Sequence, residues 1–371
     1  MGLRGQRSEV FDIGLSSQST TEDAKRTNTR ASGEIRRLPR SKWRGTLAVM
    51  KIHLNGAAPK RGYTPAVLVA FATFLAVAAR PALSAELAKP EGAAAEAPAP
   101  LSGKGHMQFA GARSSAYGIR PFPSPEGWGR ALKTMADYFP GSTPVGIWIV
   151  GRLNGRTTGM QVEFPRPEDG VDYGPLFTFA QTNKHEPCLN YFDENGIRVF
   201  LQIEPGYADM TKSIDLILNQ YQQHPSVIGF GVDIEWFQNA KTDAPNGLAT
   251  DALVQAWEAK VKAHNPKYRL FVKHFREDNL PPTYRGDVVF VDDSQQFRNL
   301  DHFYAEFKQF ADHFYPSTVM FQIGYRADKP LWSQVAVPIP RTVGEKLISQ
   351  TRQECGLVWV DFTLRDVLPT Q

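Results

Sequence analysis

Short apolar runs alternate with amphipathic segments from residue 146 to the C-terminus. Eight runs are apolar almost throughout, which predicts strands that are buried on both faces. Three intervening segments repeat apolar residues at three- and four-residue spacing, which predicts helices packed on those strands. The predicted strands are 146–151, 159–164, 198–206, 227–236, 268–275, 287–293, 318–325 and 356–362, and the predicted helices are 210–225, 249–264 and 299–315.

This alternation predicts an α/β fold with a parallel sheet covered by helices. Eight strands in about 250 residues favour a single (β/α)8 TIM barrel over an open doubly wound sheet. No glycine-rich phosphate loop follows the first predicted strand, which argues against a dinucleotide-binding fold. Helices are not evident after the first and fifth predicted strands, so we expect an irregular barrel.

The segment TPAVLVAFATFLAVAA, residues 64–79, is uncharged and apolar. It follows Lys51, Lys60 and Arg61 and precedes a stretch rich in small residues. A basic region, a short apolar core and a small-residue exit predict a secretory signal peptide over residues 50–85. We therefore expect a secreted or otherwise extracytoplasmic protein, with a membrane contact only if this segment is retained as an anchor.

The regions on either side of this segment have different compositions. Residues 1–49 are rich in Ser, Thr and Arg without an apolar period, which indicates either a disordered extension or, as we prefer, residues ahead of a true start at Met50. Residues 86–106 are dominated by Ala, Pro, Gly and Glu, which predicts a linker. Residues 107–371 remain for the barrel domain.

The charge of the chain is unevenly distributed. The whole sequence has 42 Lys and Arg residues against 38 Asp and Glu, but 14 of the former and 5 of the latter fall in residues 1–85. The predicted linker and barrel are therefore net acidic, which argues against a nucleic-acid partner. Cys188 and Cys355 could form a disulfide in an exported protein or remain buried thiols.

Polar residues collect at the ends of the predicted strands. In a TIM barrel the active site is built at the C-terminal ends of the strands. Asp292 and Asp293 are adjacent and point to opposite faces, so one of them is expected at the barrel mouth. The polar and aromatic candidates at the ends of strands three to eight are Gln202, Glu204, Asp233, Glu235, Lys273, His274, Asp292, Gln322, Tyr325, Trp359 and Asp361.

Asp233 and Glu235 end the fourth predicted strand two residues apart, so they are expected on one face. Two glycines precede them on that face and leave room in the barrel centre. Paired carboxylates at a barrel mouth suit glycoside hydrolysis, in which a carboxylic acid protonates the leaving oxygen. Glu235 is the candidate general acid/base, Asp233 a supporting carboxylate, and Glu204 or Asp292 the second catalytic carboxylate.

The remaining candidates are expected to bind the substrate, a carbohydrate. Aromatic rings near the strand ends can stack on sugar rings, although core packing explains most tryptophans equally well. Glycoside hydrolysis by carboxylates requires neither a cofactor nor a metal, so we expect none. The predicted substrate-binding residues are Gln202, Tyr207, Trp236, Lys273, His274, Gln322, Tyr325, Trp359 and Asp361.

The stretch GFGVDIEW, residues 229–236, resembles the strand-four motif D-G-x-D-x-D-x-E of family 18 glycoside hydrolases, the chitinase-like enzymes. The last predicted strand, with VWVD at 358–361, is similar to the tryptophan-bearing last strand of such barrels. The resemblance implies a glycosidase barrel with Glu235 as its acid and Asp233 as its support. In the ungapped register, Phe237 takes the position of the terminal acid of the motif.

Two other functions are compatible with the same residues. A metal-dependent hydrolase or lyase could use Glu204, Asp233, Glu235, Asp292 and His274 as ligands. The sequence lacks the paired histidine motifs typical of many such sites. A carbohydrate-binding barrel without catalytic activity is the second alternative.

Overall fold

The computed structural model describes residues 105–239 and 247–369. The predicted N-terminal extension and signal peptide, and nearly all of the predicted linker, lie outside these residues. No helix within the described residues is both long and apolar enough to cross a membrane.

Eight parallel strands close into a barrel, as the sequence predicts. Around the barrel they follow the order β1, β2, β5, β6, β7, β8, β9 and β10, and β10 pairs with β1 to close the ring. The strands in chain order are β1 (His106–Ser114), β2 (Thr143–Asn154), β3 (Gly159–Val162), β4 (Phe177–Phe179), β5 (Arg198–Ile203), β6 (Val227–Asp233), β7 (Arg269–Lys273), β8 (Val288–Asp292), β9 (Val319–Ile323) and β10 (Glu354–Val360).

Helices cover the outside of the barrel between successive strands. Side-chain caps begin several of them: for example, Asp209 accepts a hydrogen bond from the Lys212 backbone and begins α3. After β7 the chain forms a 3-10 turn, Glu277–Asn279, where most other strands are followed by an α-helix. The helices are α1 (Pro125–Asp137), α2 (Glu186–Asn195), α3 (Met210–Tyr221), α4 (Asp251–His264), α5 (Leu300–Phe314), α6 (Lys329–Trp332), α7 (Ile339–Ile348) and α8 (Asp361–Leu364).

The prediction of the first two barrel strands is wrong. Its first strand is β1, a segment that we had placed at the junction of linker and domain and had not predicted as a strand. The run at 159–164, predicted as the second barrel strand, contains β3, which pairs antiparallel with β2 outside the ring. The two errors cancel, so strands three to eight keep their predicted places.

The barrel interior holds an apolar cluster of its own. Alternation along each strand sends one set of side chains into the barrel and the other toward the helices. Above the interior cluster, toward the C-terminal ends of the strands, the inward positions become polar. The interior apolar residues are Phe109, Val145, Ile147, Phe200, Phe271, Val289, Val291, Met320 and Val358.

The aromatic stripe of α5 faces the barrel wall. Phe303, Phe307, Phe310 and Phe314 are all buried in the layer between helices and strands. The ring of Phe307 meets Phe321 of β9 at 5.3 Å, edge to face. This confirms the interpretation of the stripe as a core face. Cys188 and Cys355 are both buried free thiols, which excludes the disulfide between them in this structure.

Candidate active site

Lys273 organises a buried ionic cluster at the top of the barrel. Its Nζ lies 2.8 Å from Asp233 Oδ2 and also contacts Asp293 Oδ2. Lys273 ends β7, Asp233 ends the neighbouring strand β6, and Asp293 directly follows β8 on the other side. Each of the three residues lies two positions after an inward-facing residue of its strand, so its side chain also points into the barrel. They are nearly inaccessible to solvent.

Two glutamines and a tyrosine extend this cluster along the ring of strands. Gln202, at the end of β5, directs its amide nitrogen to Asp233 Oδ2 at 3.4 Å. Tyr325 donates its hydroxyl to Asp293 Oδ2 at 3.4 Å and accepts a hydrogen bond from Gln322 of β9 at 2.5 Å. Five neighbouring strands thus contribute to one connected network.

The opposite side of the barrel mouth carries a second ion pair. Arg113, on β1, donates from Nη2 to Asp361 Oδ1 at 3.2 Å, and both side chains are buried. The other oxygen of Asp361 accepts hydrogen bonds from the backbone and hydroxyl of Ser115. Asp361 therefore joins the two ends of the barrel sequence, β1 and β10.

Glu204 is fixed in place by two hydrogen bonds. Tyr117 donates its hydroxyl to Oε1 at 2.7 Å, and the Leu153 backbone donates to Oε2 at 3.1 Å. Burial and the Glu204 charge raise the pKa of Tyr117 well above its usual range, so the phenol stays protonated as a donor. With both oxygens occupied, Glu204 holds the segment after β1 against the β2–β3 hairpin.

Glu235 differs from every other carboxylate of the group. The strand ends at Asp233, and Glu235 lies in a 3-10 turn, Ile234–Trp236, rather than on the same strand face as we expected. Its side chain is only partly buried, and within the described ranges it makes no hydrogen bond or ion pair. Burial, and then the charges of Asp293 and Asp233, raise the pKa of Glu235 to about 8.

Asp233 and Glu235, the two acids near Lys273 whose pKa values are raised, differ in their contact with the lysine. Burial raises the pKa of Asp233 as well, but the ammonium of Lys273 opposes that shift through direct contact. Burial lowers the pKa of Lys273, yet the two aspartates outweigh it and raise that pKa well above its usual range. Lys273 is thus a permanent cation. Asp233, with a pKa of about 7, and Glu235, with a pKa of about 8, both bind protons near neutral pH, and Glu235 holds its proton more tightly.

Three of the sequence candidates lie away from this group. Asp292 points outward and accepts a hydrogen bond from the Ser294 backbone at 2.8 Å, so Asp293 takes the position at the mouth.

Trp359 is buried in the helix layer, where it donates to Thr363 at 2.9 Å and packs on Trp332. His274 is fully buried, and its Nδ1 accepts from the Arg276 backbone.

Tyr207 and Trp236 lie at the rim instead. Tyr207 is 50% exposed, and its backbone donates to the Thr158 carbonyl at 2.9 Å. Trp236 is partly buried beside Glu235. Phe237, the next residue, packs edge-on against Trp257 of α4 at 5.0 Å. The position that matches the terminal acid of the family 18 motif thus belongs to the helix layer.

Sequence reasoning missed Arg113, Ser115, Tyr117 and the role of Asp293. Arg113 lies on β1, and Ser115 and Tyr117 follow it; because this strand is not predicted, no strand end points to them. Alternation alone does not say whether Asp292 or Asp293 faces inward. The structure decides this, because Val289 and Val291 line the barrel interior and Asp293 continues their face.

A bound metal ion has no evident place in this cluster. Within residues 105–239 and 247–369, no group of three or more His, Cys, Asp and Glu side chains is arranged to hold a metal. Lys273 occupies the position between Asp233 and Asp293 that a cation would take. The protein thus supplies its own positive charge there.

Comparisons with known proteins found similar solved structures but no family for this chain. No protein-family model matches it, and neither does any curated protein. Similar solved structures include a β-glucuronidase from Parabacteroides merdae (12% identity, TM-score 0.38, 68% of this chain and 31% of that one). Others are a candidate α-L-fucosidase from Bacteroides thetaiotaomicron (11%, 0.42, 76% and 96%) and a glucosidase from Croceicoccus marinus (10%, 0.40, 69% and 59%).

This chain spans about a third of the length of the β-glucuronidase it matches, 31%. At these identities and TM-scores the likeness assigns neither an activity nor a substrate to this chain. The comparisons do not confirm the resemblance to family 18.

Proposed function

We propose that this chain is a glycoside hydrolase and that Glu235 is its general acid. The observation that carries the proposal is the partly buried Glu235 carboxyl, which has no ion pair or hydrogen bond among the described residues and whose pKa of about 8 keeps it protonated at neutral pH. A carboxylic acid with these properties at a barrel mouth can protonate a glycosidic oxygen. The partly buried Trp236 and the exposed Tyr207 offer ring surfaces to the sugar at the rim.

The ionic cluster has a separate task in this mechanism. Cleavage of a glycosidic bond develops positive charge on the sugar ring. When both are ionised, Asp233 and Asp293 carry two negative charges against the single positive charge of Lys273. The remaining negative charge stabilises the developing cation, and Lys273 keeps the aspartates fixed so that no reorganisation is needed.

Hydrolysis of a glycan panel by the full chain, compared with a Glu235→Gln variant, tests this assignment. Loss of a general acid should lower kcat by about 10²- to 10⁴-fold. Glu345→Gln is the matched control, because Glu345 is an exposed carboxylate paired with Arg341 and should leave activity unchanged. Full activity in Glu235→Gln would show that another group is the acid.

A carbohydrate-binding barrel without turnover is the second candidate function. The burial of Asp233, Lys273, Asp293 and Gln322 favours it, because these side chains are nearly closed to solvent in this structure. Saccharide binding by wild-type protein with no product from any member of the panel would select this alternative.

We also propose that the protein is exported. The support is the basic, apolar and small-residue sequence of residues 50–85, which is typical of a secretory signal. N-terminal sequencing of the protein recovered from outside the cytoplasm should give a start close to residue 86. Recovery of uncleaved chain in the cytoplasmic fraction alone would refute export.

A further inference from the structure

Each aspartate of the ionic cluster uses one oxygen and leaves the other unpartnered. Asp233 and Asp293 both meet Lys273 through Oδ2. Among the described residues, Oδ1 of each is buried without a hydrogen-bond partner. Buried carboxylate oxygens are costly to leave unpaired, so this pair of atoms can accept hydrogen bonds from a further donor.

The neighbouring glutamines show the same deficit of donors. Gln202 points its amide nitrogen at Asp233, and Gln322 points its amide nitrogen at Tyr325. Their Oε1 atoms are consequently left as buried acceptors, without a partner in the described part of the chain. Among the inward-facing polar side chains of the described residues, the unpartnered buried atoms are thus these four acceptors and one donor, Arg113 Nε.

The ionic cluster also has more negative than positive charge when its acids are ionised. Lys273 with Asp233 and Asp293 carries a net charge of −1 when both acids are ionised, because one ammonium meets two carboxylates. Among the described residues, the other buried cation of the mouth, Arg113, is already paired with Asp361. A ligand carboxylate at the buried cluster would therefore meet no unpaired cation there, whereas one ligand ammonium would make the cluster neutral.

We propose that the site selects glycosides whose sugar carries a free ammonium group, over neutral sugars and over uronic acids. This inference rests on the proposed function and names its substrate class. The ammonium, with three donors and no acceptor, lies between Asp233 Oδ1 and Asp293 Oδ1, on the side of the aspartates not used by Lys273. These oxygens are buried in this structure, so entry of the ligand requires a side chain at the rim to move.

Aryl glycosides that each differ from the glucoside at one position of the sugar test the inference with the full chain. The series is the 2-amino-2-deoxy-glucoside, the glucoside, the N-acetylglucosaminide and the glucuronide, each in both anomers. The assay is run at about pH 7, where Asp233, with a pKa of about 7, is ionised in part and where Glu235 and an amine are largely protonated. We expect kcat/KM to be at least about tenfold higher for the amino sugar. An equal or higher value for the neutral sugar, the acetylated sugar or the uronide overturns the inference, although it leaves glycosidase activity standing.

A matched pair of variants locates the preference. Asp293→Asn removes one charge from the cluster and should reduce the preference for the amino sugar about tenfold. Asp292→Asn makes the same chemical change on the next residue, which points outward, and should retain the preference. A preference that survives Asp293→Asn would place the selecting charge elsewhere.

Calorimetric binding separates this inference from the proposed function. Titration of glucosamine and glucose into the full-length chain requires no turnover. Tighter binding of glucosamine without hydrolysis of any glycoside would refute the glycosidase proposal and keep the selectivity. Equal affinity for the two sugars would indicate that the four acceptors hold only internal water, and would overturn the inference.

Discussion

Lys273 illustrates how a single residue both builds and constrains the site. Two buried aspartates beside each other would repel and take up protons, but the ammonium between them fixes both. The proposed selectivity follows from this arrangement, because one ammonium shared by two ionised carboxylates leaves one negative charge without a counter-ion.

Lys273→Met should strongly destabilise the fold. The substitution keeps the apolar stem but leaves Asp233 and Asp293 as buried charges without a counter-ion, at a cost of about 3–5 kcal/mol in the free energy of unfolding. Urea denaturation at neutral pH measures this. Lys308→Met is the control, since Lys308 is an exposed partner of Asp312 and its loss should cost less than about 1 kcal/mol. Equal effects from the two variants would show that the buried cluster is not an ionic unit.

At the residue scale, the sequence located most of the site but not its geometry. Asp233, Lys273 and Gln322 were found because polar residues at the ends of apolar strands are costly without a purpose. The choice between Asp292 and Asp293 depends on which face of β8 is inward. Arg113 was missed because its partner, Asp361, is 248 residues away along the chain, and no local pattern records that pairing.

At the scale of the elements, the hydrophobic pattern is sufficient to predict some helices and strands but not others. The helix α5 was predicted within one residue at each end, because its phenylalanines recur at the helical period. The strand β1 was missed because it adjoins a region rich in Ala, Pro and Gly and includes small residues itself. The run containing β3 has strand composition, and only its pairing partner shows that it lies outside the barrel.

Phe307→Ala should test the packing of α5 on the barrel. Phe307 is fully buried and contacts Phe297, Phe303 and Phe321. Truncation should lower the free energy of unfolding by about 3–5 kcal/mol. Tyr304→Ala on the same helix is the control, since Tyr304 is only partly buried and should cost less. Thermal or urea unfolding of both variants gives the comparison, and a smaller loss for Phe307→Ala would contradict this packing.

At the scale of the whole molecule, the barrel brings together charges from distant parts of the chain. Five carboxylates meet two cations at the mouth: Glu204, Asp233, Glu235, Asp293 and Asp361 with Arg113 and Lys273. This excess of negative charge, added to partial burial, is why Glu235 holds its proton. The acid strength of Glu235 is therefore a property of the assembled barrel rather than of its local sequence.

The pH dependence of kcat/KM tests this account most directly. The protonated form of Glu235 is the active one, so activity should persist through neutral pH and fall about tenfold per pH unit above its pKa of about 8. Asp293→Asn removes a charge that raises this pKa, so the alkaline limb should move to lower pH. An alkaline limb that begins near the ordinary glutamate value of about 4.3, or one that remains unchanged in Asp293→Asn, would contradict the assignment of Glu235 as the acid.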